Sequence, residues 1–155
     1  MTMAHKESSQ AALRIVAMAN DHAGYALKTL LKPHIENLGF TVTDLGSDNG
    51  SESADYPHYG KKIAEFVAQG NADFGIAICG SGIGISIAAN RVKGARAALC
   101  SEGLGAQLSR EHNNANILAL GARLIGQLQA QECVERFLHT PFAGGRHTAR
   151  VSQLD

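Results

Sequence analysis

The segment from Phe74 to Ser86, FGIAICGSGIGIS, constrains this chain more than any other. An apolar run ends in Cys79, glycines follow at positions 80, 82 and 84, and helical spacing begins after them. The run lacks the polar alternation of a half-exposed strand, so it predicts a strand buried on both faces. The turn and helix then leave the Cys79 thiol at the carboxyl end of that strand. Backbone N–H groups and the helix dipole favour negative charge there, whether on a thiolate, an oxyanion or a phosphate.

Four further apolar runs repeat the pattern: Arg14–Ala19, Phe40–Leu45, Ala95–Cys100 and Ile117–Leu120. Helical spacing fills the intervals. Leu27, Leu30, Leu31, His34, Ile35 and Leu38 share one helix face, and Gly39 ends it. Pro33 inside that helix predicts a bend or a split near Thr29–Lys32. Tyr59, Ile63, Phe66 and Val67 mark a second helix closed by Gly70, and 86–91, 104–111 and 124–138 supply three more. Alternation of this kind predicts an α/β protein, a doubly wound α/β/α sandwich on a five-stranded parallel sheet, Rossmann-like in layout. Ligands in such sheets bind beyond the carboxyl ends of the strands. Residues 46–54 form a polar loop, and 141–145 a turn before a basic tail.

A chain of 155 residues is one domain by length, here residues 14–155, with a C-terminal helix and basic tail. The small, polar residues 1–13 are expected to be a disordered N-terminal extension without a signal-peptide core. Lys plus Arg and Asp plus Glu balance at 14 each, so no net field favours nucleic acid or a membrane surface. Aromatic residues are 5% of the chain and Trp is absent, which argues against base stacking. No apolar run approaches a membrane span. Three widely spaced cysteines suggest neither a disulfide framework nor a metal site, and a reducing, cytoplasmic setting fits them.

Several polar groups fall where strands end. Asp21 and His22 follow the first, Cys79 and the glycine turn the third, and Cys100 and Ser101 the fourth; His112 and Asn113 close the next helix. All are expected to converge on one edge of the sheet. Each has a bland alternative. Glycines at a strand-to-helix turn often answer to sterics alone, and a cysteine is more often a small buried residue than a reactive one. Cys100 and Cys133 suit that plain role. A dinucleotide fingerprint is excluded because it needs glycine where Ile85 stands. Arg146, His147 and Arg150 are either a solvated tail or a phosphate clamp, since guanidinium forks match phosphate oxygens.

Taken together these pieces resemble the type B ribose-5-phosphate isomerases, a family that includes galactose-6-phosphate isomerase subunits. The motifs that carry the resemblance are Asp21-His22-Ala23-Gly24, Asp55-Tyr56-Pro57, Cys79-Gly80-Ser81-Gly82-Ile83-Gly84, Ser86-Ile87-Ala88-Ala89-Asn90, His112-Asn113 with Asn116, and Gly145-Arg146-His147 with Arg150. Each alone is weak; in this order, from Arg14 to Arg150, they are specific. The resemblance implies that Cys79 is the base moving a proton between C1 and C2 through an enediolate. Ser81 polarises the carbonyl region, and N–H groups of the stretch Gly80, Ser81, Gly82, Ile83, Gly84 hold the oxyanion. His112 opens the furanose ring, assisted by Asp21 and Tyr56. Asn113 binds sugar hydroxyls. His22, Arg123, Arg146 and Arg150 contact phosphate, with His147 nearby. It further implies a homodimer, or a tetramer, with sites shared between subunits, and no metal or organic cofactor. Two departures stand out. Asn20 replaces a smaller residue, and Gly105 stands where relatives often carry a Thr or Ser that would cap the following helix.

The leading expectation is therefore a cofactor-free aldose–ketose isomerase of a sugar phosphate, with ribose 5-phosphate as substrate. A four- or six-carbon phosphate (erythrose 4-phosphate, galactose 6-phosphate or allose 6-phosphate) is the alternative within that class. A cysteine-dependent hydrolase or phosphatase is a different class, but a phosphatase needs C-x5-R and Ile85 occupies the arginine position. A non-catalytic sugar-phosphate-binding module is the third.

Overall fold

The computed structural model describes residues 14–155; the extension expected over 1–13 lies outside the described residues. Five parallel strands, β1 (Ile15–Asn20), β2 (Thr41–Asp44), β3 (Phe74–Cys79), β4 (Ala97–Leu99) and β5 (Ile117–Gly121), form one sheet in the order β2-β1-β3-β5-β4. The connecting helices are α1 (Tyr25–Asn37), α2 (Tyr56–Ala68), α3 (Ile83–Ala89) and α4 (Gly103–Asn113), followed by α5 (Gln127–His139) and α6 (Arg146–Val151). A single 3-10 turn, His22–Gly24, joins β1 to α1.

The two faces of the sheet differ in bulk, and strand parity sets the difference. Val16, Met18, Phe74, Ile76, Ile78, Leu118 and Leu120 point to the side covered by α1, α4 and α5. Ala17, Ala19, Ala77, Cys79 and Ala119 point to the side covered by α2 and α3. Small residues there let both helices sit low on the sheet and close to each other. A Cβ on Gly60 of α2 would come within 2.7 Å of the Ala88 Cβ and 2.8 Å of the Ile85 carbonyl on α3.

Several local expectations are corrected. α1 is one unbroken helix through Pro33, so the split expected near Thr29–Lys32 does not occur. Both Pro33 and Thr29 lie on the exposed face, so the carbonyl that loses its N–H partner is hydrated rather than orphaned. α3 begins at Ile83, three residues before the expected 86, and α5 begins at Gln127, three residues after the expected 124. The basic tail is helical: α6 docks through the buried Val151. Gly105 does not leave α4 uncapped, because the Glu102 carboxylate accepts from the N–H groups of Leu104 and Gly105 at 2.8 and 2.6 Å. Asn20 is fully buried beside the site, its Nδ2 donating to the Asp21 carbonyl at 2.8 Å.

The low α2–α3 packing generates a test. Gly60→Ala gains about 1 kcal/mol of helix propensity, yet forces two helices apart where overpacking costs about 1–3 kcal/mol. Urea unfolding should show a net loss of stability; a more stable variant would mean the helices are free to separate.

Candidate active site

A cleft of about 580 Å³ opens beyond the carboxyl ends of β1 and β3. This is where strand order turns in opposite directions, the usual ligand position in such sheets. Asp21, His22, Tyr56, Cys79, Gly80, Ser81, Ile83, Gly84 and Arg123 line it, and so do three residues to which the sequence assigned no role in a site, Ala23, Ile87 and Leu124. Ile87 falls one turn after Ile83 on α3, a spacing that could have revealed it.

Cys79 closes β3 and is only 3% exposed. Its parity aims the sulfur at the α3 side, where the Gly82 N–H donates to Sγ at 3.2 Å. An N–H aimed at sulfur is worth most when the sulfur carries negative charge. Gly82 adopts a left-handed φ of 75°, and a Cβ there would meet Leu99 at 2.6 Å, so only glycine permits the turn. The Ile83 N–H donates to Ser81 Oγ at 3.2 Å. Two of the N–H groups expected to hold an oxyanion are thus spent inside the turn. Those of Gly80, Ser81 and Gly84 have no acceptor among the described residues. Tyr56 opens α2 and lies against Gly84, where a Cβ would strike its ring at 2.5 Å.

Asp21, 5% exposed, caps the 3-10 turn through Oδ1, which accepts from the Gly24 N–H at 3.1 Å. His22 Nδ1 accepts from the Ala54 N–H at 3.0 Å and lies 3.3 Å from the Ala54 carbonyl. The loop carrying Ala54 is anchored in turn by Lys28. That buried ammonium pairs with Asp44 at 3.0 Å and donates to the Ser47 carbonyl at 3.0 Å.

His112 and Asn113 are not in this cleft, which corrects the expectation of a single converging edge. α4 runs antiparallel to the strands and delivers its C-terminus to their amino-terminal edge. There His112, Asn113, His147 and Arg150 line a separate cleft of about 290 Å³. The His112 and His147 rings stack with centroids 4.5 Å apart and planes 16° from parallel. Arg146 opens α6 beside them and is exposed. At ~3.3 Å per residue a five-residue strand such as β5 spans about 16 Å, so clusters at opposite edges of the sheet lie beyond hydrogen-bond reach of each other. Partial desolvation, then the charges of His112, Arg146 and Arg150, hold His147 below the ordinary histidine value of 6.5.

Cys100 lines a side cleft with Ser81 and Leu99. Burial first, then the Glu102 carboxylate, raises its thiol to about 11. Burial likewise raises Cys133 to about 11, followed by Cys100, Glu102 and Glu132. All three cysteines are free. Among the described residues no three His, Cys, Asp or Glu side chains gather as a metal site, and no helix is long and apolar enough to cross a membrane.

Two outcomes follow from these environments. Iodoacetamide at mildly alkaline pH should label Cys79 before Cys100 or Cys133, read by peptide mass; first labelling of Cys100 would contradict the assignment. His147 should titrate below 6.5 by NMR. Because its folded value lies under its unfolded one, the unfolded chain takes the proton first. The contribution of neutral His147 to stability is therefore present above about 6.5 and is lost as pH falls. A midpoint at or above the ordinary value would refute this.

A family model described as Ribose/Galactose Isomerase matches residues 16–154. The ribose-5-phosphate isomerase B of Escherichia coli is 45% identical over 142 residues, covering 92% of this chain and 95% of that one. Among solved structures, a ribose 5-phosphate isomerase from Thermotoga maritima is 48% identical with a TM-score of 0.88, covering 92% of this chain and 97% of its own. The ribose-5-phosphate isomerase B of Mycoplasma genitalium, solved with bound ribulose-5-phosphate, is 38% identical with a TM-score of 0.87, covering 90% and 93%.

Proposed function

The chain belongs to the ribose/galactose isomerase family, and from that premise we propose that it interconverts ribose 5-phosphate and ribulose 5-phosphate through an enediolate. The observation that carries the mechanism is the Gly82 N–H on the Cys79 sulfur at the floor of an open cleft. Aldose–ketose exchange needs a base, donors for the developing oxyanion and an anchor for the phosphate. Cys79 takes the proton from one reacting carbon and returns it to the other. The N–H groups of Ser81 and Gly84, with the Ser81 hydroxyl, face the oxyanion. His22 and Arg123 contact phosphate from the same cleft. His112 opens the furanose ring, assisted by Asp21 and Tyr56, and Asn113 holds sugar hydroxyls.

Acid and base cannot serve one sugar within one chain. Proton transfer needs hydrogen-bond reach, about 3 Å, and the clusters stand roughly a strand length apart. The site is therefore completed by His112, Asn113, Arg146, His147 and Arg150 of a second copy, in a homodimer. Exposed apolar side chains rim the first cleft, Ile83 and Ile87 about half exposed and Leu124 at 69%, and offer that copy a surface. Three free thiols suit a reducing, cytoplasmic setting.

The test is turnover without added metal or cofactor across erythrose 4-phosphate, ribose 5-phosphate, allose 6-phosphate and galactose 6-phosphate. A tenfold preference for another sugar would replace the substrate and keep the chemistry. Release of inorganic phosphate, or binding without turnover, would overturn the isomerase assignment. Cys79→Ala should lower kcat by about 100-fold or more while the fold survives. Mixed dimers of Cys79→Ala chains with His112→Ala or Arg150→Ala chains should regain activity, since one of their two sites is intact. No recovery in verified heterodimers would mean that each site is built within one chain.

A further inference from the structure

Arg110 has no role in the chemistry above, yet its placement is unusual. It is 8% exposed and carries a full charge, and no carboxylate pairs with it among the described residues. Burial first, then the charges of Arg14 and Arg96, work against its protonated form. A buried cation without a counter-ion is poor glue. What its planar fork offers is geometry. Nε donates to the Thr140 carbonyl at 3.2 Å; Nη1 donates to Asn114 Oδ1 at 2.9 Å and to the Ala115 carbonyl. The guanidinium also lies 5.0 Å from the centroid of the Phe74 ring and 5.8 Å from that of Phe137.

These acceptors belong to segments that carry the second cluster. Asn114 is the left-handed residue (φ 45°) that ends α4 directly after His112 and Asn113. Thr140 ends α5 and begins the short turn into α6, the helix of His147 and Arg150. Outside Arg110, the hydrogen bond tying that turn to α4 among the described residues is the Ala143 N–H on the Glu111 carbonyl at 3.1 Å. We propose that Arg110 is a positioning residue: one guanidinium fork fixes the end of α4 against the turn into α6, and so holds His112 and Asn113 in register with His147 and Arg150. The reaction then depends on Arg110 through those residues, although it touches no substrate. This inference rests on the shared-site isomerase reading.

The test uses the full chain with Arg110→Met, which keeps the apolar stem, and Arg110→Lys, which keeps charge and loses the fork. Circular dichroism and urea unfolding establish that each is folded; if Arg110→Met is not, Arg110→Lys carries the test. Each folded variant should lose about ten- to a hundredfold in kcat/KM, the scale of a misplacement near 1 Å. In mixed dimers the variant should be rescued by Cys79→Ala chains and not by His112→Ala chains. A fold-wide defect has no such preference. His147 should also titrate closer to the ordinary value as the ring stack loosens, a readout independent of activity. Rescue by His112→Ala chains, or wild-type kcat/KM with unchanged His147 titration, would overturn the proposal. Failure of Cys79→Ala with His112→Ala to recover would instead overturn the shared site, and the His147 titration would still decide Arg110.

Discussion

The structure depends on a thin layer between the sheet and two of its helices. Alanine and glycine occupy the α2–α3 side of β1 and β3, and bulky side chains occupy the other side. Dispersion and exclusion of water draw α3 down onto that low surface until Gly60 touches its backbone. With α3 at this height, the turn after β3 places the Gly82 N–H on the Cys79 sulfur. Thinness and chemistry are the same fact. A bulkier residue at Ala77 or Ala19 would lift α3 and withdraw the donor without touching the cleft.

The division of the polar residues into two clusters has an equally simple origin. Helices that connect parallel strands must run back against them, so whatever ends such a helix arrives at the opposite edge from whatever follows a strand. Asp21, His22, Cys79 and Ser81 follow strands; His112 and Asn113 end a helix. The proposed reaction draws on both sets, and the proposal of two chains rests on this division and on the apolar rim of the first cleft.

Two buried cations illustrate how charge can be used as a ruler. Lys28 reaches Asp44 and the Ser47 carbonyl and pins the loop that leads to Ala54 and His22. Arg110 gathers oxygens of Asn114, Ala115 and Thr140 and pins the turn between α5 and α6 to α4. Both sit where an apolar side chain would pack at lower desolvation cost. Both fix a segment that carries site residues.

The strands and the alternation of layers were legible in the order of residues because burial on both faces leaves apolar runs that no other arrangement explains. Cys79 and its glycine turn were legible for the same reason: strand, thiol and turn are contiguous, so local geometry alone brings them together. Family membership was legible because several short motifs recur in one order. What lay beyond reach depended on contacts between segments distant in the chain. Pro33 leaves α1 whole because its face is solvated. Glu102 rather than residue 105 caps α4 because a side chain folds back on its own helix. His112 sits at the opposite edge of the sheet from Cys79 because helix direction, which a list of motifs does not record, decides the edge at which a residue emerges. The chain by itself determined which groups are available and which of them are neighbours along a strand and its turn. Only the tertiary structure decided which end of the sheet each occupies, because that choice belongs to the packing of whole elements and not to any residue's own preference.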